Sequence, residues 1–237
     1  MGMIMKYKTG TVFFGASLLF SSILIISIFA VPEASGGLLS AEQKNDVLLS
    51  ATSAFEDLSE YALTGNSEGM KTALEAYEAR TAAVHAILPE QARKNLDALV
   101  DGIREAIGKG KDESAALKAV EAYGVLISSL YREALKIPAP VSWLDYAGFK
   151  LKALLHAGSP DWSAIRATAA FAEKNWNEIM PRVEDYGLRD SFGSVIAGMN
   201  RAIGLENREM ALFAAQMDLD LVDLLEGYFV RLSNSGL

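Results

Sequence analysis

Two hydrophobic patterns divide the chain. From Thr11 to Val31 the sequence runs for 21 residues without a charged side chain, and from Ala41 onwards apolar residues return at every third and fourth position. As a helix, the first run is about 30 Å long at 1.5 Å per residue, the thickness of a bilayer's hydrocarbon core, so residues 11–31 are predicted to form a transmembrane signal anchor in contact with membrane lipid. Residues 1–10 carry Lys6 and Lys8 and no acid, while Glu33 follows the apolar run. That asymmetry places residues 1–10 in the cytoplasm and the rest of the chain outside it, in the periplasm or extracellular space.

A cleaved signal peptide is the competing reading, and it stays open. Its apolar core is normally shorter, roughly 7–15 residues, and ends at a small-x-small site. Here Ile28-Phe29-Ala30 has a bulky residue where a small one is needed, and Ala34-Ser35-Gly36 lies beyond Pro32. A prepilin-like cleavage at Gly10 lacks the acidic residue expected soon afterwards, where Gly15 and Ala16 stand. Myristoylation at Gly2 needs Ser or Thr where Lys6 is found.

The second pattern predicts helices only. Residues 32–40 form a linker rich in Pro, Gly and Ser, and Ser40 with Gln43 makes a capping box that opens the first helix. Helices are expected at 41–64, 67–87, 90–107 and 112–135, and then again at 142–157, 161–180, 187–203 and 206–231. No stretch of alternating β-branched residues with hairpin turns intervenes, so the fold class is all-α, with helical bundles following the anchor.

The two sets of helices also resemble each other. At a spacing of 92, Met70, Ala73 and Leu88-Pro89 fall on Trp162, Ile165 and Met180-Pro181. At a spacing of 96, Leu96, Val100, Ile103, Ala106 and Gly108 fall on Phe192, Ile196, Met199, Ala202 and Gly204, and Ala115 and Ala119 on Ala211 and Ala215. Because Pro and Gly punctuation is included, the expectation is a duplicated four-helix unit: repeat 1 at 41–137, a joint at 138–141 and repeat 2 at 142–237. Shared apolar periodicity is the alternative explanation.

Charge and cysteine content narrow the chemistry. The formal net charge is −8, with no basic stripe, which argues against nucleic acid as a partner. With no cysteine there is no disulfide, thiolate nucleophile, Cys-ligated zinc, iron-sulfur cluster or c-type haem attachment. The sequence contains no nucleophile elbow, phosphate-binding Gly-rich loop or dinucleotide fingerprint, so neither an enzyme nor a cofactor is expected.

Neither histidine belongs to a Glu-x-x-His pair, because Ala82 and Ala153 stand three residues before His85 and His156; helix-end or surface roles are expected for both. The most suggestive polar feature is the acidic run Asp218, Asp220, Asp223 and Glu226. Asp220, Asp223 and Glu226 follow one another by a helical turn, a stripe that could hold a hard cation as a metal site or simply face solvent opposite Leu219, Val222 and Leu225. Trp143, Trp162 and Trp176, with Tyr146 and Phe149, could line a pocket or simply pack in the core.

The spacing in Ala73-Leu74-Glu75-Ala76-Tyr77 resembles helical domains appended to bacterial iron permeases, but the Arg-Glu-x-x-Glu motif of those permeases is missing. Helical sensor domains of chemoreceptors are similar in outline, but those need a second membrane span, and no second apolar run of that length occurs. The expected function is therefore that of a non-enzymatic, single-pass membrane-anchored protein. Its extracytoplasmic helical domain would dock on partner proteins as an accessory or structural subunit of a membrane complex. The alternative is an extracytoplasmic helical carrier of a ligand or metal, using Asp220, Asp223 and Glu226.

Overall fold

The computed structural model describes residues 39–235, which are helical with no strand among them. Ser40 opens α1 (Ala41–Leu63) through the capping box read from the sequence: Gln43 donates its N–H to Ser40 Oγ at 3.2 Å, and Ser40 donates its own to Gln43 Oε1 at 2.9 Å. Asn66 caps α2 (Ser67–Glu78) by accepting from the Gly69 N–H at 2.9 Å. A turn at Ala79 and Arg80 separates α2 from α3 (Thr81–Ile87), so the single helix expected at 67–87 is broken. Pro89, which cannot extend a helix before it, stands as the cap of α4 (Glu90–Gly108).

The helix expected at 112–135 also ends early. α5 (Asp112–Ser128) stops where the Ser128 and Ser129 hydroxyls donate back to the Val125 carbonyl, at 2.8 and 2.9 Å. Asn45 of α1 then captures the following backbone: its amide donates to the Tyr131 carbonyl at 2.9 Å and accepts from the Tyr131 N–H at 2.8 Å. A 3-10 turn at Arg132–Ala134 follows. α6 (Ala139–His156) begins with Pro140 in its first turn, where a missing N–H costs nothing, so the connection between halves is longer than the 138–141 joint expected. The remaining helices are α7 (Trp162–Ile179), capped by Asp161, α8 (Tyr186–Gly204), capped by Asp185, and α9 (Arg208–Ser235).

Packing follows one scheme in both halves. In the first, α1 lies against α2 and α5, and α4 against α5; in the second, α6 lies against α7 and α9, and α8 against α9. The halves join along α5 and α6, and Phe149, Ala153 and Leu219 of the second half belong to the core of the first. The helices therefore make one continuous stack.

Burial repeats along with packing. Leu48, Ala51 and Phe55 on α1 and, 96 residues later, Leu144, Ala147 and Leu151 on α6 are all buried, as are Leu96, Val100, Ile103 and Ala106 with Phe192, Ile196, Met199 and Ala202. Even the turn before the fourth helix recurs. Gly110 has φ of 61° and Glu206, 96 residues on, has 52°. Lys111 donates its N–H to the Ala106 carbonyl, as Asn207 does to that of Ala202, both at 2.9 Å.

The second helix needs a correction. Its caps Asn66 and Asp161 are 95 residues apart, and at that spacing the buried Met70, Val84 and Leu88 meet the buried Ile165, Ile179 and Val183. The 92-residue pairing of Leu88 with Met180 sets a side chain 7% exposed against one 36% exposed. Pro89 caps a helix and Pro181 sits inside a 3-10 turn, so the two prolines are not counterparts.

Among the described residues no helix is long and apolar enough to cross a membrane, and the proposed anchor at 11–31 lies outside them.

Candidate functional site: an acidic groove between the first and last helices

A groove with a cavity of about 440 Å³ lies between α1 and α9, with α6, Tyr123 of α5 and the 134–137 connection completing its lining. Eight carboxylates line it and only one lysine: Glu42, Asp46, Glu56 and Glu60 from α1, Asp145 from α6, Asp220, Asp223 and Glu226 from α9, and Lys136. Lys136 is already engaged, at 2.8 Å from Glu42, and that hydrogen bond holds the Glu42 carboxyl below the usual range. Glu60 is 3.5 Å from Lys152, and among the described residues Glu56, Asp145, Asp223 and Glu226 have no basic side chain within ion-pair distance.

Each helix brings its acids inward for a local reason. Glu56 follows Thr52 by one turn and borders the buried Phe55 and Ser59, so the α1 face that packs the core also carries it towards the groove. Asp145 is placed by its neighbour: Tyr123 donates its hydroxyl to Asp145 Oδ2 at 2.7 Å. Glu226 follows Val222 and Leu225, which anchor α9 in the core, and is half-buried as a result.

The electrostatics follow from this crowding. Burial pushes the Glu56 carboxyl up to about 7, reinforced by the charges of Glu226, Asp57 and Asp223 and opposed by Thr52. Glu226 is likewise pushed up to about 7, by burial and then by Asp223. Asp145 stands well above the usual carboxylate range, by burial and then by Glu56. Asp223 is raised by burial, then by Asp220 and Glu60. In all four groups burial and neighbouring carboxylates favour the protonated form over the charged one.

At one end the groove holds a cation of its own. Lys152 of α6 reaches Gln216 of α9 at 2.8 Å and Glu60 of α1 at 3.5 Å, and Gln216 in turn donates to Asp220 at 2.8 Å. The ammonium thus bridges the two walls.

Asp220, Asp223 and Glu226, the stripe singled out in the sequence, all open onto the groove, but among the described residues no three His, Cys, Asp or Glu side chains converge closely enough to hold a metal ion. Asp218, from the same acidic run, does not face solvent at all. It is fully buried, neither carboxyl oxygen has a partner, and burial pushes it up to about 8. Helical geometry explains the difference: position 218 follows Ala211, Ala214 and Ala215 and precedes Val222 on the core face of α9, while 220 and 223 turn away from it.

The histidines lie outside the groove lining. His156 Nδ1 is 2.8 Å from the Lys152 carbonyl at the end of α6, and His85 Nε2 is 2.8 Å from Asp97. The aromatic residues divide. Phe149 lines the acidic groove, and Trp176 stacks on Phe192 in the core with ring centres 4.5 Å apart. Trp143, Tyr146 and Phe171 pack edge to face around a second, shallower hollow that Trp162 does not line.

Sequence reasoning passed over Glu56 and Asp145, because each sits in a helix whose periodicity is satisfied without it, while Tyr123 belongs to the buried face of α5 itself. The available signal was an acid next to the apolar stripe, as Glu56 is next to Phe55 and Asp145 next to Leu144. Compared with known protein families, characterised proteins and solved structures, the chain matches none.

Proposed function

We propose that this is a non-enzymatic, membrane-tethered binding protein whose acidic groove receives a positively charged organic ligand. The observation that carries the reading is the groove's charge: eight carboxylates around a cavity of about 440 Å³, against Lys136, which is paired with Glu42, and Lys152 at one end, which is paired with Glu60. That volume suits a small molecule. Phe149, Leu219 and the Tyr123 ring give the cavity apolar surface beside its carboxylates, which favours an alkylammonium or other amine over a bare ion. The lack of a convergent triad favours an amine over a metal in the same way.

Topology belongs to the same proposal. Residues 11–31 span the membrane as a signal anchor, residues 1–10 are cytoplasmic, and the helical domain lies in the periplasm or outside the cell. The domain is a duplicated four-helix unit. Support for the duplication comes from the matching burial at 96-residue spacing and from the shared turn at Gly110 and Glu206.

Calorimetric titration of the full chain in mild detergent with 1,4-diaminobutane at pH 8 tests the reading, with Mg²⁺ titrated in parallel. Binding of the diamine is expected, weakened at least tenfold in a Glu56→Gln, Glu226→Gln double variant and weakened below pH 7 as these carboxyls take up protons. Heat for neither probe sinks the proposal, and heat for Mg²⁺ alone replaces the amine with a metal.

A second reading, docking on partner proteins as a subunit of a membrane complex, is favoured by a separate observation. Met210, Phe213 and Leu224 on α9 are 54%, 61% and 57% exposed, and with Met217 they form an apolar stripe away from the groove. Purification in mild detergent as a strict monomer without a companion counts against it.

A further inference from the structure

The groove occupies a particular place in the repeat. The α5–α6 junction is closed: Tyr123 meets Asp145 and Phe149, and Gly124 lets Tyr146 approach so closely that a Cβ at position 124 would lie 2.9 Å from Tyr146 Cε2. Subtracting the 96-residue spacing carries the α6 face, Asp145 and Phe149, onto Leu49 and Ser53 of α1, and carries Ser142 onto Asp46. Adding it carries Tyr123 and Gly124 of α5 onto Leu219 and Asp220 of α9. All five of these counterpart residues line the cavity. The two faces that match the closed junction therefore look at each other across the groove, while α1 and α9 make no packed interface.

We infer that the groove is an unclosed second version of the α5–α6 junction, and that α9 moves towards α1 when a bound cation or protons neutralise the carboxylates between them. This rests on the cation-binding reading of the groove and adds its conformational consequence.

Three features support it. Leu49, 39% exposed, stands where the half-buried Asp145 stands in the closed junction, so closure would cover apolar surface that is now wet. The charged groups that face the gap come from every wall. They are Glu42, Asp46, Glu56 and Glu60 on α1, Asp145 and Lys152 on α6, Asp220, Asp223 and Glu226 on α9, with Tyr123 on α5 and Lys136 in the connection. Eight of these eleven are carboxylates, and like charges facing each other across a low-dielectric gap repel. Finally, among the described residues, a side chain links the two walls where an ammonium sits, Lys152 between Glu60 and Gln216.

The chain has no cysteine, so paired labels can be placed without removing any. Spin labels on Ser50→Cys of α1 and Arg231→Cys of α9, both exposed, would report the gap in the full chain in mild detergent by electron-electron double resonance. A control pair, Ser114→Cys with Ser159→Cys, reports the α5–α6 side. Saturating 1,4-diaminobutane at pH 8, or acidification from pH 8.5 to 5.5, is expected to shorten the first distance by roughly 3–5 Å towards the 8–10 Å axis spacing of packed helices. The control pair should stay constant, and Glu56→Gln, Glu226→Gln should be short at every pH.

Calorimetric binding of the diamine with an unchanged Ser50–Arg231 label distance overturns closure and leaves the binding reading standing. Shortening on acidification with no diamine heat keeps closure and removes the binding reading. Constant distances under every condition, with no heat, remove both.

Discussion

A carboxyl group at position 218 with neither counter-charge nor hydrogen-bond partner makes a quantitative prediction. Asp218 is buried to the last ångström of its surface and held up to about 8 from an ordinary value of 3.8 by burial alone. Because the folded form binds the proton more tightly than the unfolded one, the contribution is complete below the ordinary value. It is lost as pH rises through the folded value near 8. Between pH 5 and 9 linkage gives a loss of about 4 kcal/mol for one such group, and local relaxation with water entry would reduce it to about 2–4 kcal/mol.

Asp218→Asn keeps the shape and removes the titration, so its advantage over the wild type should grow by that amount between pH 5 and 9. Asp218→Ala should gain a further fraction, since Ala122 is the residue 96 positions earlier and is also buried. Urea unfolding of the full chain, followed by fluorescence of the buried Trp176, reads this as a difference between midpoints of roughly 1 M. If wild-type and Asp218→Asn midpoints move in parallel between pH 5 and 9, the carboxyl is not the isolated buried group described.

Other consequences are smaller but equally direct. Asn45→Ala removes both hydrogen bonds to Tyr131 and leaves that backbone unpaired, so unfolding should become easier by about 2–3 kcal/mol. Gly148→Ala would set a Cβ 2.6 Å from Leu219 Cδ2, forcing α6 and α9 apart, and a loss of about 1–3 kcal/mol is expected in the same measurement. Glu206→Gly relieves a left-handed backbone at φ of 52° and should stabilise by about 0.5–1 kcal/mol, the exposed pair with Arg166 offsetting part of the gain. Tyr123→Phe leaves Asp145 without its 2.7 Å donor, and its midpoint should fall by the equivalent of about 1–2 kcal/mol at neutral pH.

Helix positions were legible in the sequence to within a few residues because caps and periodicity are local. Ser40 with Gln43 opens α1 as read, and Gly65 and Gly108 stand where α1 and α4 end. Two boundaries misled for a reason that is not local. α5 ends early because Asn45, far away in sequence, binds the backbone at Tyr131, and Arg80 closes a turn inside what reads as one amphipathic helix. The acidic run on the last helix was visible as composition but not as geometry. Residues two apart on a helix point in different directions, and that separates the buried Asp218 from the exposed Asp220.

What the sequence determined by itself is the helical class and the order and extent of most helices, since each depends on the spacing of neighbours along one chain. What only the tertiary structure decided is the groove. Glu56 and Asp145 are unremarkable where they stand in the sequence, and both are far from Glu226 of the acidic run. Burial raises the proton affinity of all three, and the charge of Glu226 adds to it at Glu56 and those of Glu56 and Glu226 at Asp145, because α1, α6 and α9 bring them to one cavity and both effects depend on distances through space.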